Sequence, residues 1–306
     1  MHDTAYEHGR LFFELYGSES LRTVVELGSQ DVNGSLRDHC PLGVRYIGLD
    51  MIAAKGVDLV VNPAAPLPLA DGIADAVVTS SAFEHDICFW DTFLELLRLL
   101  RPGGLLYVNA PSNGAFHRYP LDCWRFYPDA GVALVRWAAR RGIEIELIES
   151  FIGLPRAERW ADFVAVFRKP GGPALTRTGR IADRAPSINV HDRAGVAEAP
   201  LRAESPRMTD MLVADEIRTE LTQVADGLRV ELAAAWQTNA TLSSDLAAAR
   251  TDGAALRRTL HAAEQRTAEL GTALATIRDH HEAILNSTSW RLTAGLRRLV
   301  IFLRGH

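Results

Sequence analysis

An apolar residue recurs at every seventh position from Leu221 to Ile284, and this repeat restricts the C-terminal part of the chain to one long helix. The d positions hold only Leu, Ile and Ala, Asn239 occupies one of the a positions, and no proline lies within the repeat. We expect a coiled coil over 207–286, and hence a homo-oligomer with a dimer as the default. A helix of roughly 75 residues extends on the order of 110 Å. The alternative is a single solvated helix or an Ala-rich segment without fixed structure.

The first 170 residues have the composition of a packed domain. Of the 23 aromatic residues of the chain, all but Trp236, Trp290 and Phe302 lie there. Short apolar runs alternate with amphipathic stretches, which is typical of an α/β domain with a mostly parallel sheet. We therefore predict a doubly wound domain over 1–170.

Six or seven strands and three helical stretches are predicted within this domain. The turn Arg101-Pro102-Gly103-Gly104 ends a helix and starts a strand, because proline fixes φ and glycine accepts a positive φ. The last two strands lack a helix between them, so we expect them to pair antiparallel. The predicted strands are Thr23–Leu27, Tyr46–Asp50, Asp58–Val61, Ala76–Ser80, Leu105–Asn109, Ile143–Ser150 and Phe163–Phe167, and the helical stretches are Ser35–His39, Asp91–Leu100 and Asp129–Arg140.

Charge and cysteine content exclude several classes of protein. Residues 1–170 hold 16 basic and 22 acidic side chains, so this domain repels phosphate and a nucleic-acid partner is not expected. The three cysteines lack CxxC spacing, which argues against a disulfide framework and a structural zinc site, and no metal is expected. No apolar run reaches the ~18 residues of a membrane span, and we expect a cytoplasmic protein.

Two further segments flank the heptads. Residues 171–206 are rich in Pro, Gly, Ala and Arg without a sustained period, and we interpret them as a flexible linker. We expect residues 287–306, the tail, to form a single basic amphipathic helix that suits an anionic membrane surface or a groove on a partner, unless it packs on its own chain. The tail carries Arg291, Arg297, Arg298 and Arg304, and its apolar face holds Trp290, Leu292, Leu296, Leu299, Val300 and Leu303.

The strongest local signal is VVELGSQDVNG, from Val24 to Gly34. An apolar strand ends in an acid and is followed by a glycine-bearing loop, which lets a ligand approach the backbone closely. The second strand ends in Asp50, where doubly wound folds place a carboxylate that binds ribose hydroxyls. Together these features indicate a ligand that contains a nucleoside.

The two lysines, Lys55 and Lys169, exclude two nucleotide-binding classes. A P-loop requires Gly-Lys-Ser/Thr, but Gly56 and Pro170 follow the lysines. A short-chain dehydrogenase requires Tyr four residues before Lys, but those positions hold Met51 and Ala165.

The ordered set of motifs resembles the class I S-adenosylmethionine-dependent methyltransferases, specifically the type 11 branch. The pieces are VVELGSQDVNG, YIGLD, LPLADGIADAVVTSSAFEH over Leu67–His85, and LLRPGGLLYVNAP over Leu99–Pro111. The resemblance covers about residues 20–170 and implies a Rossmann-like sheet and S-adenosyl-L-methionine as the cofactor. Gln30 and Val32 depart from the family's glycine-rich loop.

The resemblance also implies roles for individual residues. The loop from Glu26 and Gly28 contacts the amino-acid end of the cofactor, and Asp50 contacts the ribose. Asn62 stands where the family often has an Asp that binds the adenine amino group. The cofactor-binding residues expected on this basis are Glu26, Gly28, Ser29, Gln30, Asp31, Asp50, Met51, Asn62 and Ser81.

The acceptor side is expected after the fourth and fifth strands. A hydroxyl acceptor needs a base, and histidine is the natural choice at neutral pH. The candidate catalytic residues are His85, His117, Asp122 and Arg125. His85 could instead be a structural residue beside the cofactor, and Asp122 with Arg125 a salt bridge.

The C-terminal part carries a second resemblance. The segment ILNSTSWRLTAGLRRL, Ile284–Leu299, is similar to an element that follows coiled coils in bacterial enzymes of surface-polysaccharide assembly. This similarity implies methyl transfer to a hydroxyl of a sugar or surface-glycan precursor, near a membrane-linked glycan-assembly partner. The alternatives are methylation of another small metabolite or lipid, and a non-catalytic coiled-coil scaffold with a degenerate methyltransferase domain.

Overall fold

The computed structural model describes residues 1–175, 179–192 and 201–304. The chain divides into two compact units, Met1–Glu220 and Leu221–His306. Residues 176–178 and 193–200 of the predicted linker, and the last two residues of the predicted tail, lie outside the described residues.

The first unit is built on one sheet of eight strands in the order β3-β2-β1-β4-β5-β7-β6-β8. Strands β1 to β5 pair in parallel, whereas β7 pairs antiparallel with both β5 and β6, and β6 pairs antiparallel with β8. The predicted doubly wound, mostly parallel sheet with antiparallel final strands is confirmed. The strands are β1 Thr23–Leu27, β2 Arg45–Asp50, β3 Leu59–Val60, β4 Ala74–Ser80, β5 Leu100–Pro111, β6 Glu146–Gly153, β7 Asp162–Arg168 and β8 Ser187–His191.

Helices cover both faces of the sheet. On one face α2 (Phe89–Leu99) and α3 (Ala130–Arg140) pack over an apolar core in which the ring of Phe93 meets that of Phe167. On the other face α1 (Asp3–Tyr16) buries Phe12 against Tyr107. Every residue of β4 is buried, as expected for a central parallel strand with helices on both sides. The sequence did not predict α1, although its apolar residues from Leu11 to Tyr16 fill this second core.

The predicted flexible linker is wrong for residues 181–191. A 3₁₀ turn, Ile181–Asp183, leads into β8, which extends the sheet beyond β6. Ile181 and Val190 are buried among the residues of the α1 face. The buried carboxylate of Glu149 accepts hydrogen bonds from the backbone of Ile181 and Ala182 at 3.0 and 3.1 Å. This contact and the burial fix a segment that its Pro and Gly content had suggested to be mobile.

The predicted long helix is confirmed as α4, Thr209–Asn286. Its heptad leucines are exposed along the single chain, from Leu221 to Leu274. The predicted single tail helix is wrong, because Thr293 separates α5 (Thr288–Leu292) from α6 (Ala294–Arg304). The Ser287 side chain caps α5 by accepting a hydrogen bond from the Trp290 backbone. Among the described residues, every helix is too short or too polar to cross a bilayer.

Candidate functional site

A tight loop follows β1 at the carboxyl edge of the sheet. The backbone amides of Gly28 and Ser29 both donate to the carbonyl oxygen of Leu49, at 2.9 and 3.1 Å. Gly28 has φ of 81°, and a Cβ placed on it would lie 2.8 Å from the Cβ of Ala82. Both its backbone conformation and its surroundings therefore require glycine. The loop is held against β2 and β4 with its backbone close to the edge where a ligand would lie.

Glu26 is the buried acid of this edge. Its side chain is 2% exposed and accepts a hydrogen bond of 2.9 Å from the Tyr46 hydroxyl. Burial raises the pKa of Glu26 to about 8, while the bond from Tyr46 opposes that rise. None of the described side chains forms an ion pair with this buried carboxyl, which therefore suits a ligand that brings its own positive charge. Nothing in the sequence singled out Tyr46, whose hydroxyl approaches Glu26 because β1 and β2 are paired.

Asp50, at the end of β2, is tied to the loop. One of its carboxylate oxygens accepts from the Gln30 amide at 3.1 Å, and the other from the Met51 amide at 2.7 Å. Asp31 is turned toward the opposite side, where it pairs with the Lys55 ammonium at 2.5 Å and accepts from the Gly34 amide at 3.0 Å. The Lys55 contact lowers the pKa of Asp31. Asp31 therefore shapes the loop, and Asp50 remains part-exposed beside it.

Three other expected cofactor-binding residues lie near the carboxyl edge of the sheet, and they differ in solvent exposure. Ser29 is buried, and its hydroxyl has no hydrogen-bond partner among the described residues. Ser81 follows β4 with φ of 52°, and its amide donates to the Asn109 carbonyl at 3.0 Å. Asn62 is exposed, and its carbonyl oxygen accepts from the Ala64 amide at 2.9 Å. Its side-chain carbonyl therefore holds a local turn, which leaves the amide group free to face a ligand.

Two imidazoles meet beyond β4. The rings of His85 and His117 lie 5.1 Å apart between centroids and nearly perpendicular. The Nδ1 atom of His85 bonds to the Leu121 carbonyl, and that of His117 lies 3.1 Å from the Ala115 carbonyl. Because a carbonyl only accepts, Nδ1 is the donor of each ring, and the neutral tautomer that fits these contacts has its lone pair on Nε2. Burial lowers the pKa of His85, so its neutral form is favoured.

Asp122 and Arg125 form a bidentate ion pair with N–O distances of 2.5 and 2.9 Å. The Asp122 carboxylate also accepts from the His117 amide at 2.7 Å, and Arg125 donates to the Ala115 carbonyl at 2.9 Å. The hydrogen bond from Arg125 lowers the pKa of Asp122 to about 2. The pair thus positions the loop that carries His117, and its carboxylate is already fully engaged.

A hydrogen bond joins the two halves of the site. The Tyr119 hydroxyl donates to the side-chain oxygen of Gln30 at 2.7 Å, across 89 residues of sequence. The segment that carries His117 therefore reaches the loop after β1. Trp160, which no sequence pattern indicated, lies edge-on to the His117 ring at 5.2 Å. The structure brings the expected acceptor and cofactor residues to the same edge of the sheet.

Comparison with protein families gives one match. Residues 39–108 match the model of a family described as a methyltransferase domain. The matched residues run from the 3₁₀ turn before β2 into β5, and they include Asp50, Ser81 and His85. A search of the curated proteins finds no match to the chain.

Several solved structures resemble parts of the chain at low identity. A Burkholderia thailandensis 1,6-didemethyltoxoflavin-N1-methyltransferase, solved with S-adenosylhomocysteine, is 14% identical, with 55% of this chain and 79% of that chain covered and a TM-score of 0.42. A SAM-dependent methyltransferase from Archaeoglobus fulgidus is 13% identical, with 54% and 93% covered and a TM-score of 0.38. The Haemonchus contortus phosphoethanolamine N-methyltransferase 1 is 15% identical, with 58% and 45% covered and a TM-score of 0.40. At these identities the substrates of those enzymes say nothing about the acceptor of this chain.

Proposed function

We propose that this chain, a methyltransferase whose methyl donor is S-adenosylmethionine, methylates a hydroxyl of a sugar or surface-glycan precursor. The methyltransferase domain matched over residues 39–108 is the premise of the proposal. The observation that supports the acceptor class is the pair of imidazoles, His85 and His117, whose Nδ1 atoms contact backbone carbonyls and whose Nε2 atoms are left for an acceptor beside the cofactor edge. A hydroxyl is a poor nucleophile until it loses its proton, and a neutral imidazole favours that loss.

The surroundings of the imidazoles suit a flat sugar ring. The side chains of Phe116 and Tyr119 are 73% and 51% exposed on the same segment as His117. Exposed aromatic faces pack against the apolar face of a pyranose, while the ring hydroxyls remain free to reach polar groups. Asp122 and Arg125 act as positioning residues for this segment.

The cofactor is assigned to the carboxyl edge of β1, β2 and β4. Glu26 faces the amino-acid end, where the ammonium group would pair with the buried carboxyl. Asp50 faces the ribose, and the amide of Asn62 faces the adenine. Since a sulfonium methyl is already electrophilic, holding the acceptor oxygen in line with it supplies much of the rate.

The C-terminal helices are proposed to bring the domain to its acceptor. The exposed heptad leucines of α4 suit pairing with a second copy of the chain. The Arg297 guanidinium lies 3.5 Å above the Trp290 ring, so the tail presents cations and apolar side chains together, as membrane-surface helices do. Removal of residues 287–306 should release the protein from membrane fractions, whereas unchanged partitioning would contradict the tethering.

The experiment that tests the acceptor class is methyl transfer from radiolabelled S-adenosylmethionine to a matched panel. The panel contains nucleotide sugars and glycan fragments in one set, and phospholipids and small amines in the other. We expect label in the first set, and loss of that label in Asp50→Ala through lost cofactor binding. Label confined to the second set would overturn the sugar assignment, and no label in either would favour the scaffold alternative.

A further inference from the structure

One cluster beside the imidazole pair has the composition of a metal site. Glu84, His85 and His117 each place one ligating atom within 4.8 Å of the other two. Glu84 and His85 lie on the 3₁₀ turn after β4, and His117 lies on the segment between β5 and α3. The cysteine spacing argued only against a structural zinc site, and no metal was expected, but these ligands come from positions 33 residues apart and include no cysteine.

Glu84 is a buried carboxyl with one unpartnered oxygen. It is 1% exposed, and its Oε2 atom has no hydrogen-bond partner among the described residues. Its Oε1 atom lies 3.7 Å from the Nε2 atom of His85, which is too far for a hydrogen bond. The nearby cation, Arg125, is already paired with Asp122. Burial disfavours the ionised form of an unpaired carboxyl, and a bound cation would stabilise it where none of the described side chains forms an ion pair with it except the distant imidazole of His85.

The two imidazoles are oriented as metal ligands are. In metal sites the second ring nitrogen of a histidine usually donates to a backbone carbonyl or a carboxylate, which fixes the ring and frees the other nitrogen. His85 bonds through Nδ1 to Leu121, and His117 through Nδ1 to Ala115, with the Asp122 carboxylate 3.5 Å away. Both Nε2 lone pairs are therefore available for coordination.

We propose that Glu84, His85 and His117 bind one divalent transition-metal ion of the zinc type, with an open position that takes the acceptor hydroxyl. Two imidazoles and one carboxylate are a ligand set of catalytic zinc sites, whereas Mg²⁺ and Ca²⁺ prefer oxygen ligands throughout. Tetrahedral ligands about 2.1 Å from a metal lie about 3.4 Å apart, so the cluster must contract by about 1.4 Å at most. The His117 side chain is 41% exposed and lies on a loop, and it is the ligand that moves.

This inference rests on the proposed function only for the role of the ion, which would replace the two imidazoles in removing the proton of the acceptor hydroxyl. A hydroxyl bound to the metal has a lowered pKa, and its proton passes to solvent water. The oxygen then forms a bond to the methyl carbon while the carbon–sulfur bond of the sulfonium breaks. The electron pair of that bond stays on sulfur, and the products are the methyl ether and S-adenosylhomocysteine.

Metal binding is tested on the full chain without any acceptor. The protein is stripped with a chelator, dialysed, and titrated with Zn²⁺ by calorimetry and with Co²⁺ by visible absorption. We expect one ion per chain, and at least a tenfold loss of affinity in Glu84→Gln and in His85→Ala. Glu84→Gln keeps the shape of the buried side chain, so it remains informative if His85→Ala fails to fold. His261→Ala, on the exposed surface of α4, is the matched control and should bind normally.

The outcomes separate this inference from the proposed function. Absence of binding by the wild type, or equal binding by the wild type and both cluster variants, would overturn the metal site. Full sugar methylation by the stripped protein in the presence of chelator would overturn the role of the ion and leave the acceptor class standing. Stoichiometric metal binding without sugar methylation would contradict the proposed function while the metal site stands.

Discussion

Cofactor binding should release a proton from Glu26. Because burial raises the pKa of this carboxyl to about 8, about nine in ten free molecules carry it protonated at pH 7. The ammonium group of S-adenosylmethionine would face it, and an opposite charge within about 4–6 Å lowers a carboxyl pKa by roughly 1–3 units. A decrease of about two units leaves the carboxyl mostly ionised in the complex, so on the order of 0.8 proton leaves Glu26 at pH 7.

The assay is calorimetric titration with S-adenosylmethionine at pH 7 in buffers of different ionisation enthalpy. The slope of observed enthalpy against buffer enthalpy counts the protons exchanged. The ligand's own amino group, with a pKa of about 8, is about nine-tenths protonated at pH 7 and can take up only about 0.1 proton, so the difference between wild type and Glu26→Gln comes almost entirely from Glu26. Glu26→Gln also keeps an acceptor for the Tyr46 hydroxyl, which preserves the local packing.

The expected difference between the two proteins is about 0.8 proton at pH 7. At pH 9 the free carboxyl is already mostly ionised, so Glu26 itself should release only about 0.1 proton there. Equal proton counts for wild type and Glu26→Gln at pH 7, with both proteins binding the cofactor, would refute the placement of the ammonium group beside Glu26.

Three further perturbations test the loop, the core and the helix. Gly28→Ala and Gly142→Ala both place alanine at a positive φ, which costs about 1–2 kcal/mol. Only at position 28 would the added methyl group also meet Ala82, so the affinity for the cofactor, measured by calorimetry, should fall at least tenfold in Gly28→Ala alone. Burial alone would raise the pKa of Asp162, but hydrogen bonds from two histidines hold it low. Asp162→Asn should lower the free energy of unfolding, measured in urea at pH 7, by about 2–3 kcal/mol. An unchanged free energy would contradict the stabilising role of these hydrogen bonds. Leu242→Asp, at a d position, should convert an oligomer to monomers in sedimentation, whereas Ser244→Asp on the outer face should not.

The sequence predicted the centre of the sheet well because the signal there is local. The bounds of β1 match the prediction, and β2 begins one residue earlier, since both are short apolar runs with a polar end. The 3₁₀ turn Leu36–His39 begins beside the predicted Ser35, whose hydroxyl caps it. Apolar runs and caps are read from neighbouring residues, so a single sequence contains them.

The elements that the sequence did not predict depend on distant contacts. β8 is a five-residue strand between Pro- and Gly-rich stretches, and it is stabilised by burial against β6 and by the Glu149 carboxylate. Helix α1 has apolar residues mainly in its second half and no side-chain cap at its start. Neither β8 nor α1 has a local sequence pattern strong enough to predict it without the distant residues that it contacts.

The candidate site also contains residues that the sequence indicates locally and contacts that depend on distant parts of the chain. Glu26, Gly28 and Asp50 were indicated by their positions at the ends of strands, and the structure places them at one edge. The approach of Tyr119 to Gln30 depends on the path of a long loop, which spacing alone does not give. The same holds for the approach of His117 to Glu84, so spacing alone does not indicate the cluster for which we propose a metal.

The most direct test of the account is calorimetric titration of the full chain with S-adenosylmethionine and, separately, with NAD. The full chain is required because β8 completes the sheet beyond residue 170. We expect stoichiometric binding of S-adenosylmethionine and no binding of NAD. Binding of NAD, or of neither ligand, would contradict the assignment of the carboxyl edge to the methyl donor.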